Sequence, residues 1–284
     1  MLTFSKMHGI GNDYIYINCF QETVTDPEKL SIFMSNVRFG VGSDGLVLIL
    51  PSEVADFRMR IFNADGSEAM MCGNATRCVG KYVYEHGMTD KTEVSLETNS
   101  GIKYLTLYVN EATNEVDAVK VDMGKAILKP AEIPVADDGD RFIAKPVVVD
   151  GVSYDMTCVS MGNPHAVIFL PEIDSLDLEK MGPSFEHHPL FPNRVNTEFI
   201  RVIDDHTLQM RVWERGSGET FACGTGACAA AVASVLNGYC KREQEILIHL
   251  RGGDLRIIYH NDESVTMIGP ATFIFEGKME YPAL

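Results

Sequence analysis

Apolar and polar residues alternate in short runs along most of the chain, and the runs stop at Gly, Asn, Asp or Pro. This period-two pattern predicts strands over residues 4–8, 14–20, 46–50, 57–63, 92–98, 102–109 and 116–122 in the first half. The second half repeats the style over 144–149, 153–159, 166–170, 197–202, 206–213, 245–249, 255–259, 265–268 and 272–275. Helical spacing is confined to three segments. Residues 27–38 place Pro27 at a first helical position behind Asp26 as cap, and 73–86 carry Ala75, Val79, Tyr82 and Val83 on one face before Gly87. Residues 225–236 are apolar almost all round, with Ala227, Ala229, Ala230, Ala231, Val232 and Ala233, so this helix should be enclosed on every side. A small-residue helix wrapped by strands is the simplest picture. The stretch 124–141, with Pro130, Pro134 and the run Asp137-Asp138-Gly139-Asp140, reads as a connector between halves.

The two halves share a register. Cys72-Gly73 and Cys223-Gly224 each open an apolar stretch that closes on a glycine, Gly87 or Gly238, at an offset of 151 positions. Between 59–87 and 210–238 the same offset superposes Met59 on Met210, Arg60 on Arg211, Glu68 on Glu219, Cys72 on Cys223, Gly73 on Gly224 and Gly87 on Gly238. Chance would give roughly two such identities. The offset also lays Gly11-Asn12 on Gly162-Asn163 and Gly45 on Asn196. A single register over that distance argues for duplication. The expected fold class is α/β of the α+β type, in two pseudo-symmetric halves: 1–123 carrying Cys72 and 124–268 carrying Cys223. Duplicated halves of this kind commonly enclose a site where they meet.

Composition narrows the function classes. A chain of 284 residues, 45% hydrophobic and 23% charged, is an ordinary globular sequence large enough for two cores. Its net charge of −16 disfavours nucleic acid and anionic membrane as partners, since either would be approached against repulsion. No apolar run reaches the length of a membrane span and the first residues lack a signal-peptide core, which places the expected location in the cytoplasm. The seven cysteines are irregularly spaced, as reduced thiols are, and no Cys-x-x-Cys or histidine at ligand spacing predicts a metal site.

The candidate chemistry lies at the two matched cysteines. Each follows a polar turn, Asn63-Ala64-Asp65-Gly66-Ser67-Glu68 or Glu214-Arg215-Gly216-Ser217-Gly218-Glu219, and each precedes a predicted helix. A helix N-terminus favours a thiolate and lowers the thiol pKa toward neutrality. The amides of Gly73-Asn74 and Gly224-Thr225 are unpaired donors fit for a carboxylate, and a carboxylate held there acidifies its α-carbon. The plainer alternative is a pair of small buried residues at tight turns; two at matched turns make the functional reading the stronger one. Asn12 and Asn163 sit in turns and are available to a ligand, though asparagine after glycine is as often a turn former. His165 is the histidine most readily connected to a thiol, and Glu214-Arg215 could grip an amino acid or form a solvated turn.

Together these residues resemble the diaminopimelate epimerase family of cofactor-independent, two-cysteine amino-acid epimerases. The resemblance runs through Lys6-Met7-His8-Gly9-Ile10-Gly11-Asn12-Asp13-Tyr14, Phe62-Asn63-Ala64-Asp65-Gly66-Ser67-Glu68, Met71-Cys72-Gly73-Asn74 and Ser160-Met161-Gly162-Asn163-Pro164-His165. It continues through Arg194-Val195-Asn196, Glu214 to Thr220 and Ala222-Cys223-Gly224-Thr225-Gly226-Ala227-Cys228. It implies an acid/base pair of Cys72 and Cys223, with His165 and Glu214 tuning their ionisation. It assigns Asn12, Asn63, Asn163, Asn196, Glu214 and Arg215 to the distal end of the substrate, and Gly73-Asn74 and Gly224-Thr225 to the reacting carboxylate. The implied halves are each a curled, mostly antiparallel sheet or barrel around a central helix, with residues 269–284 returning to the first half. No cofactor is implied, and family members are commonly homodimers. Three positions depart from the family: Gly45 where some members carry a substrate-contacting glutamine, Ala75 where glycine is usual, and Phe275 where many have a tyrosine linked to dimer contacts.

The resulting expectation is epimerisation of LL-diaminopimelate to meso-diaminopimelate, one thiolate taking the α-proton and the other thiol supplying one to the opposite face. The nearest rival is a related racemase of proline, hydroxyproline, histidine or lanthionine. More remote are a thiol-disulfide redox protein, against which the missing Cys-x-x-Cys argues, and a non-catalytic amino-acid binder, which would need neither thiol.

Overall fold

The computed structural model describes residues 1–280. Contacts between Cα atoms divide the chain into two compact units, Met1–Val121 with the chain from Ile268, and Asp122–Met267. The first carries β1 (Leu2–Gly9), β2 (Asn12–Asn18), α1 (Pro27–Ser35), β3 (Gly45–Leu50), β4 (Phe57–Asn63), β5 (Glu68–Ala69), α2 (Gly73–Glu85), β6 (Glu93–Thr98), β7 (Gly101–Val109) and most of β8 (Val116–Lys125). The second carries β9 (Lys145–Val149), β10 (Val152–Ser160), β11 (Pro164–Phe169), α3 (Leu178–Glu186), β12 (Asn196–Asp204), β13 (Thr207–Glu214), β14 (Gly218–Glu219), α4 (Gly224–Leu236), β15 (Glu245–Leu250), β16 (Gly253–Tyr259) and most of β17 (Ser264–Gly269). The chain then enters β18 (Thr272–Met279), which pairs antiparallel with β1 from Leu2↔Met279 to His8↔Thr272. Residues 281–284 of the expected returning segment lie outside the described residues.

Both units are mostly antiparallel, and each contains two parallel pairs: β2–β3 and β4–β6 in the first, β11–β12 and β13–β15 in the second. In the first unit α2 packs on β1 and β2 and also on β7, far along the order of pairing, so the sheet curls around the helix. In the second, α4 meets β10, β11, β12, β15 and β16. Ala227 to Ala233 are fully buried there, as the all-round apolar pattern requires. Small side chains on that helix let strands approach it from several directions, and Ala also has the best helix propensity.

The repeat extends to strand register. Parallel Ile15↔Leu46 matches Ala166↔Thr197, antiparallel Leu46↔Phe62 matches Thr197↔Trp213, and Phe62↔Glu68 matches Trp213↔Glu219. Helices α1 and α3 are a matched pair as well. Their caps, Asp26 and Asp177, accept hydrogen bonds from the backbone N–H of Lys29 and Lys180.

Helix α3 was not foreseen, because Pro183 inside it breaks the helical pattern. The signal that reveals it is Asp26-Pro27-Glu28-Lys29 recurring as Asp177-Leu178-Glu179-Lys180 at the common offset. The helix expected over 27–38 ends at Ser35, where Asn36 turns extended and its side chain accepts from the N–H of Arg38 and Phe39. Residues 124–141 are not a free connector. Ile127 bridges to Ser160, Pro130–Glu132 form a 3-10 turn, and Ile133 and Val135 are buried in the core of the second unit, so apolar burial fixes this stretch despite its prolines.

That core gathers around Phe185, Phe199 and Trp213, with Trp213 Nε1 donating to Glu186 Oε2 at 2.8 Å. Gly182 of α3 lies directly on the indole. In the first unit Leu30 and Met34 of α1 pack on Leu2, Phe4, Ile15, Ile17, Leu46, Leu48 and Phe62. Among the described residues no helix is long and apolar enough to cross a membrane.

Candidate active site

The polar turn before each cysteine is pinned by the same ionic fork. Arg60 clamps Glu68 through Nε–Oε1 at 2.8 Å and Nη2–Oε2 at 2.9 Å, and Arg211 clamps Glu219 at 2.9 and 3.1 Å. Bidentate pairs of this kind add orientation as well as energy, and they explain why these four positions recur. Each fork ties its hairpin, β4–β5 or β13–β14, just before the chain turns into a helix.

Cys72 is the N-cap of α2 and Cys223 the N-cap of α4, both in extended backbone and neither capping through its side chain. The amides of Gly73-Asn74 and Gly224-Thr225 therefore lack a side-chain cap and remain available to an anion. Among the described residues no cysteine is joined in a disulfide.

Around Cys72, Asn12 is the organising residue. Its Oδ1 accepts from Cys72 Sγ at 3.4 Å and from Asn74 Nδ2 at 3.2 Å, while its Nδ2 donates to Asp44 Oδ2 at 2.7 Å. Burial and the neighbouring Asp13 push the Asp44 carboxyl above its ordinary range. Asn74 is held from beneath by Arg77, a fully buried guanidinium that donates to Asn74 Oδ1 at 2.8 Å, Gly73 O at 3.2 Å and Pro270 O at 3.1 Å. Gly9 makes room for this: a Cβ there would stand 2.9 Å from both Arg77 Nη2 and Asn74 Cβ. Asn63 Nδ2 donates to Ser67 Oγ within its own turn, at 3.0 Å. Arg77 and Asp44 were missed in the sequence; a lone arginine inside an otherwise buried helical face was the available sign.

Around Cys223 the scaffold repeats with different chemistry. Asn163 donates to Thr225 Oγ1 at 3.2 Å, the counterpart of the Asn12–Asn74 bond, and Thr225 Oγ1 lies 3.6 Å from Cys223 Sγ. His165 is fully buried, with Nε2 on Asn163 Oδ1 at 3.0 Å and Nδ1 on Glu198 Oε1 at 2.7 Å. Both ring nitrogens are thus taken by residues other than the thiol. Glu214 accepts from Thr220 Oγ1 at 2.5 Å, and its carboxylate acts electrostatically on Cys223. Asn196 is a brace: Nδ2 donates to Pro164 O at 2.9 Å and Oδ1 accepts from the Arg215 N–H at 3.0 Å. The Arg215 guanidinium rests on Asn193 O at 3.0 Å.

The electrostatics at Cys223 run against the expectation from its helix N-terminus. Burial, then Glu214 and Glu198, push this thiol well above its ordinary pKa, outweighing the Thr225 and Gly226 hydrogen bonds that favour the thiolate. Burial likewise raises the Glu214 carboxyl, against the pull of Thr220, Cys223 and His165. Helix-end stabilisation amounts to about 1 kcal/mol, which desolvation of a charged sulfur exceeds. Cys223 therefore rests as a thiol.

Two of the departures have a structural reason. Gly45 opposes Asn63 across β3–β4, and a Cβ there would lie 2.0 Å from Phe62 O, so no side chain fits. Ala75 is fully buried in α2, and its counterpart is Gly226 of α4, where a Cβ would stand 2.7 Å from Glu198 Oε1. Phe275 is partly exposed on β18 and meets Phe4 edge to face.

Comparison with known proteins places the chain in a family. The diaminopimelate epimerase family profile matches residues 4–129 and 157–274. A diaminopimelate epimerase of Acetivibrio thermocellus is 58% identical over 280 residues, covering 98% of this chain and 99% of that protein. Those of Agathobacter rectalis and Methanococcus maripaludis are 54% and 52% identical, again over 98% of this chain and 99% and 100% of theirs. Among solved structures, a hydroxyproline epimerase from Agrobacterium vitis superposes with a TM-score of 0.71 at 16% identity, over 97% of this chain and 91% of that one. A Bacillus anthracis protein of the PhzF family gives 0.69 at 17%, over 99% of each, and these two likenesses speak to the fold alone. With the family profile covering most of its length and relatives more than half identical from end to end, the chain belongs to the diaminopimelate epimerase family.

Proposed function

We propose that this protein epimerises LL-diaminopimelate to meso-diaminopimelate without a cofactor, on the route to lysine and peptidoglycan precursors. The observation that carries the reading is the pair of cysteines at matched N-caps, each followed by helix amides that its side chain does not cap. The names of the relatives support the substrate. Cys72 and Cys223 are the acid/base pair. A thiolate takes the α-proton, the electron pair left on carbon is stabilised by the amides of Gly73-Asn74 and Gly224-Thr225 acting on the carboxylate, and the other thiol delivers its proton to the opposite face. No net proton is gained or lost, but the protonation states of the two sulfurs are exchanged and must be reset before another turnover in the same direction. Cys223, resting protonated, is poised as a proton donor.

Glu214 and His165 set the ionisation of Cys223. Asn12, Asn63, Asn163, Asn196, Glu214 and Arg215 hold the distal end of the substrate, Asn196 by bracing the Arg215 backbone. The proposal includes a homodimer in the cytoplasm, supported by the family resemblance. The test is α-proton exchange in deuterium oxide with LL-diaminopimelate, lanthionine, proline and histidine. Exchange on diaminopimelate that is lost in both Cys72→Ser and Cys223→Ser is expected. Exchange confined to proline or histidine, or retained by either serine variant, overturns the reading.

A further inference from the structure

Glu198 on β12 is fully buried, and its Oε2 has no hydrogen-bond partner. An ionisable group in that state costs free energy, and such a cost is tolerated where the group performs a task. Its Oε1 makes the 2.7 Å contact with His165 Nδ1. Asn163 turns its carbonyl to Nε2 of the same ring and its amino group to Thr225 Oγ1, so one side chain links the imidazole to the hydroxyl beside the sulfur. A continuous chain thus leads from Glu198 through His165, Asn163 and Thr225 to the Cys223 sulfur.

A second observation ties the carboxylate to the sulfur directly. A Cβ built on Gly226 would lie 2.7 Å from Glu198 Oε1 and 3.2 Å from Cys223 Sγ, so both atoms crowd one point over the first turn of α4. In the other unit the counterparts of Glu198 and Gly226 are Val47 and Ala75, both fully buried. Acid and glycine occur together at one thiol, and valine and alanine together at the other. The groups facing Cys223 within its unit are Glu214 from β13, Glu198 from β12, and the Thr225 hydroxyl and Gly226 N–H of α4.

We propose that Glu198 is a positioning residue of the second thiol: it locks His165 and the Asn163–Thr225 chain behind Cys223, and its carboxylate beside the sulfur makes the two cysteines chemically inequivalent. The inference rests on the epimerase reading for its purpose, but its physical content is a property of Cys223 alone.

The test is the pH dependence of Cys223 alkylation by iodoacetamide in the full-length enzyme, with the modified cysteine identified by mass spectrometry. Glu198→Gln keeps the shape and removes the charge. The Glu198→Val/Gly226→Ala double variant installs the pair that already packs in the first unit, and it covers failure of the single variant to fold. Both are expected to move the Cys223 midpoint to lower pH and raise its alkylation rate at neutral pH by about tenfold or more, with the Cys72 profile unmoved. Glu198→Asp should restore the original midpoint in part. A Cys223 midpoint that stays in place or moves to higher pH in a folded variant overturns the proposal. Failure of the unaltered protein to exchange the α-proton of diaminopimelate would sink the functional reading instead, whatever the Cys223 titration shows.

Discussion

Replacing Arg77 by Met tests whether the first thiol is held from beneath as the geometry implies. The two side chains are similar in length, so the change leaves little cavity, and what is lost is a buried fork donating to Asn74 Oδ1, Gly73 O and Pro270 O. Gly73 O keeps a backbone partner within α2, so Asn74 Oδ1 and Pro270 O are the two acceptors stripped of this donor. Leaving a buried acceptor unpaired costs about 1–3 kcal/mol, and relief from burying the guanidinium returns part of that. The expected net loss is about 2–4 kcal/mol, a large share of the typical total of roughly 5–15 kcal/mol. Urea unfolding followed by circular dichroism should show the midpoint fall at unchanged slope. Freed from Arg77, Asn74 also loosens its bond to Asn12, which in turn bonds Cys72. Exchange should therefore weaken in the folded variant through kcat more than through KM. A stability within about 1 kcal/mol of the unaltered protein, or unimpaired kcat, would refute this account of Arg77.

Two other outcomes follow from burial. Gly182→Ala would place its methyl 2.2 Å from Trp213 Cδ2, and since a rigid bicyclic indole cannot bend away, α3 must shift; a loss of about 3 kcal/mol or more in chemical unfolding is expected, and a neutral effect would contradict the packing. Burial pushes the Cys78 thiol up to about 11 from an ordinary 9.0, so its stabilising contribution is complete below the unfolded value and disappears as pH rises through the folded one. About 3 kcal/mol at stake across that window should make Cys78→Ala less sensitive to alkali than the unaltered protein, as measured by urea midpoints at neutral pH and near pH 11; parallel pH profiles would refute it.

The strands were legible because turn residues punctuate them, and α4 because nothing but an enclosed helix suits an unbroken run of small apolar residues. The repeat was legible from two cysteines, yet its reach was greater than those positions showed. Helix α3 shares a capping Asp and a Glu-Lys pair with α1, but Pro183 hides it from any reading by periodicity. At the candidate site, the residues that could be read were those in turns, where polar side chains stand out: Asn12, Asn163, Glu214. Those that brace them, Arg77 and Glu198, lie inside runs whose apolar neighbours set the pattern. Their roles depend on which buried partner they meet in space. The direction of the Cys223 shift was equally out of reach, since a helix N-terminus can be read along the chain whereas burial and two converging acids cannot.

The pairing of Glu198 with Gly226, against Val47 with Ala75, also constrains the order in which the halves could have diverged from a common ancestor. If the ancestor carried valine and alanine, acquiring the glutamate first would have driven its oxygen against the alanine methyl beside the sulfur. Acquiring the glycine first would have cost only one methyl. Glycine is thus the permissive step and glutamate the one that follows, so ancestral forms lying between the two should carry glycine with valine and not alanine with glutamate.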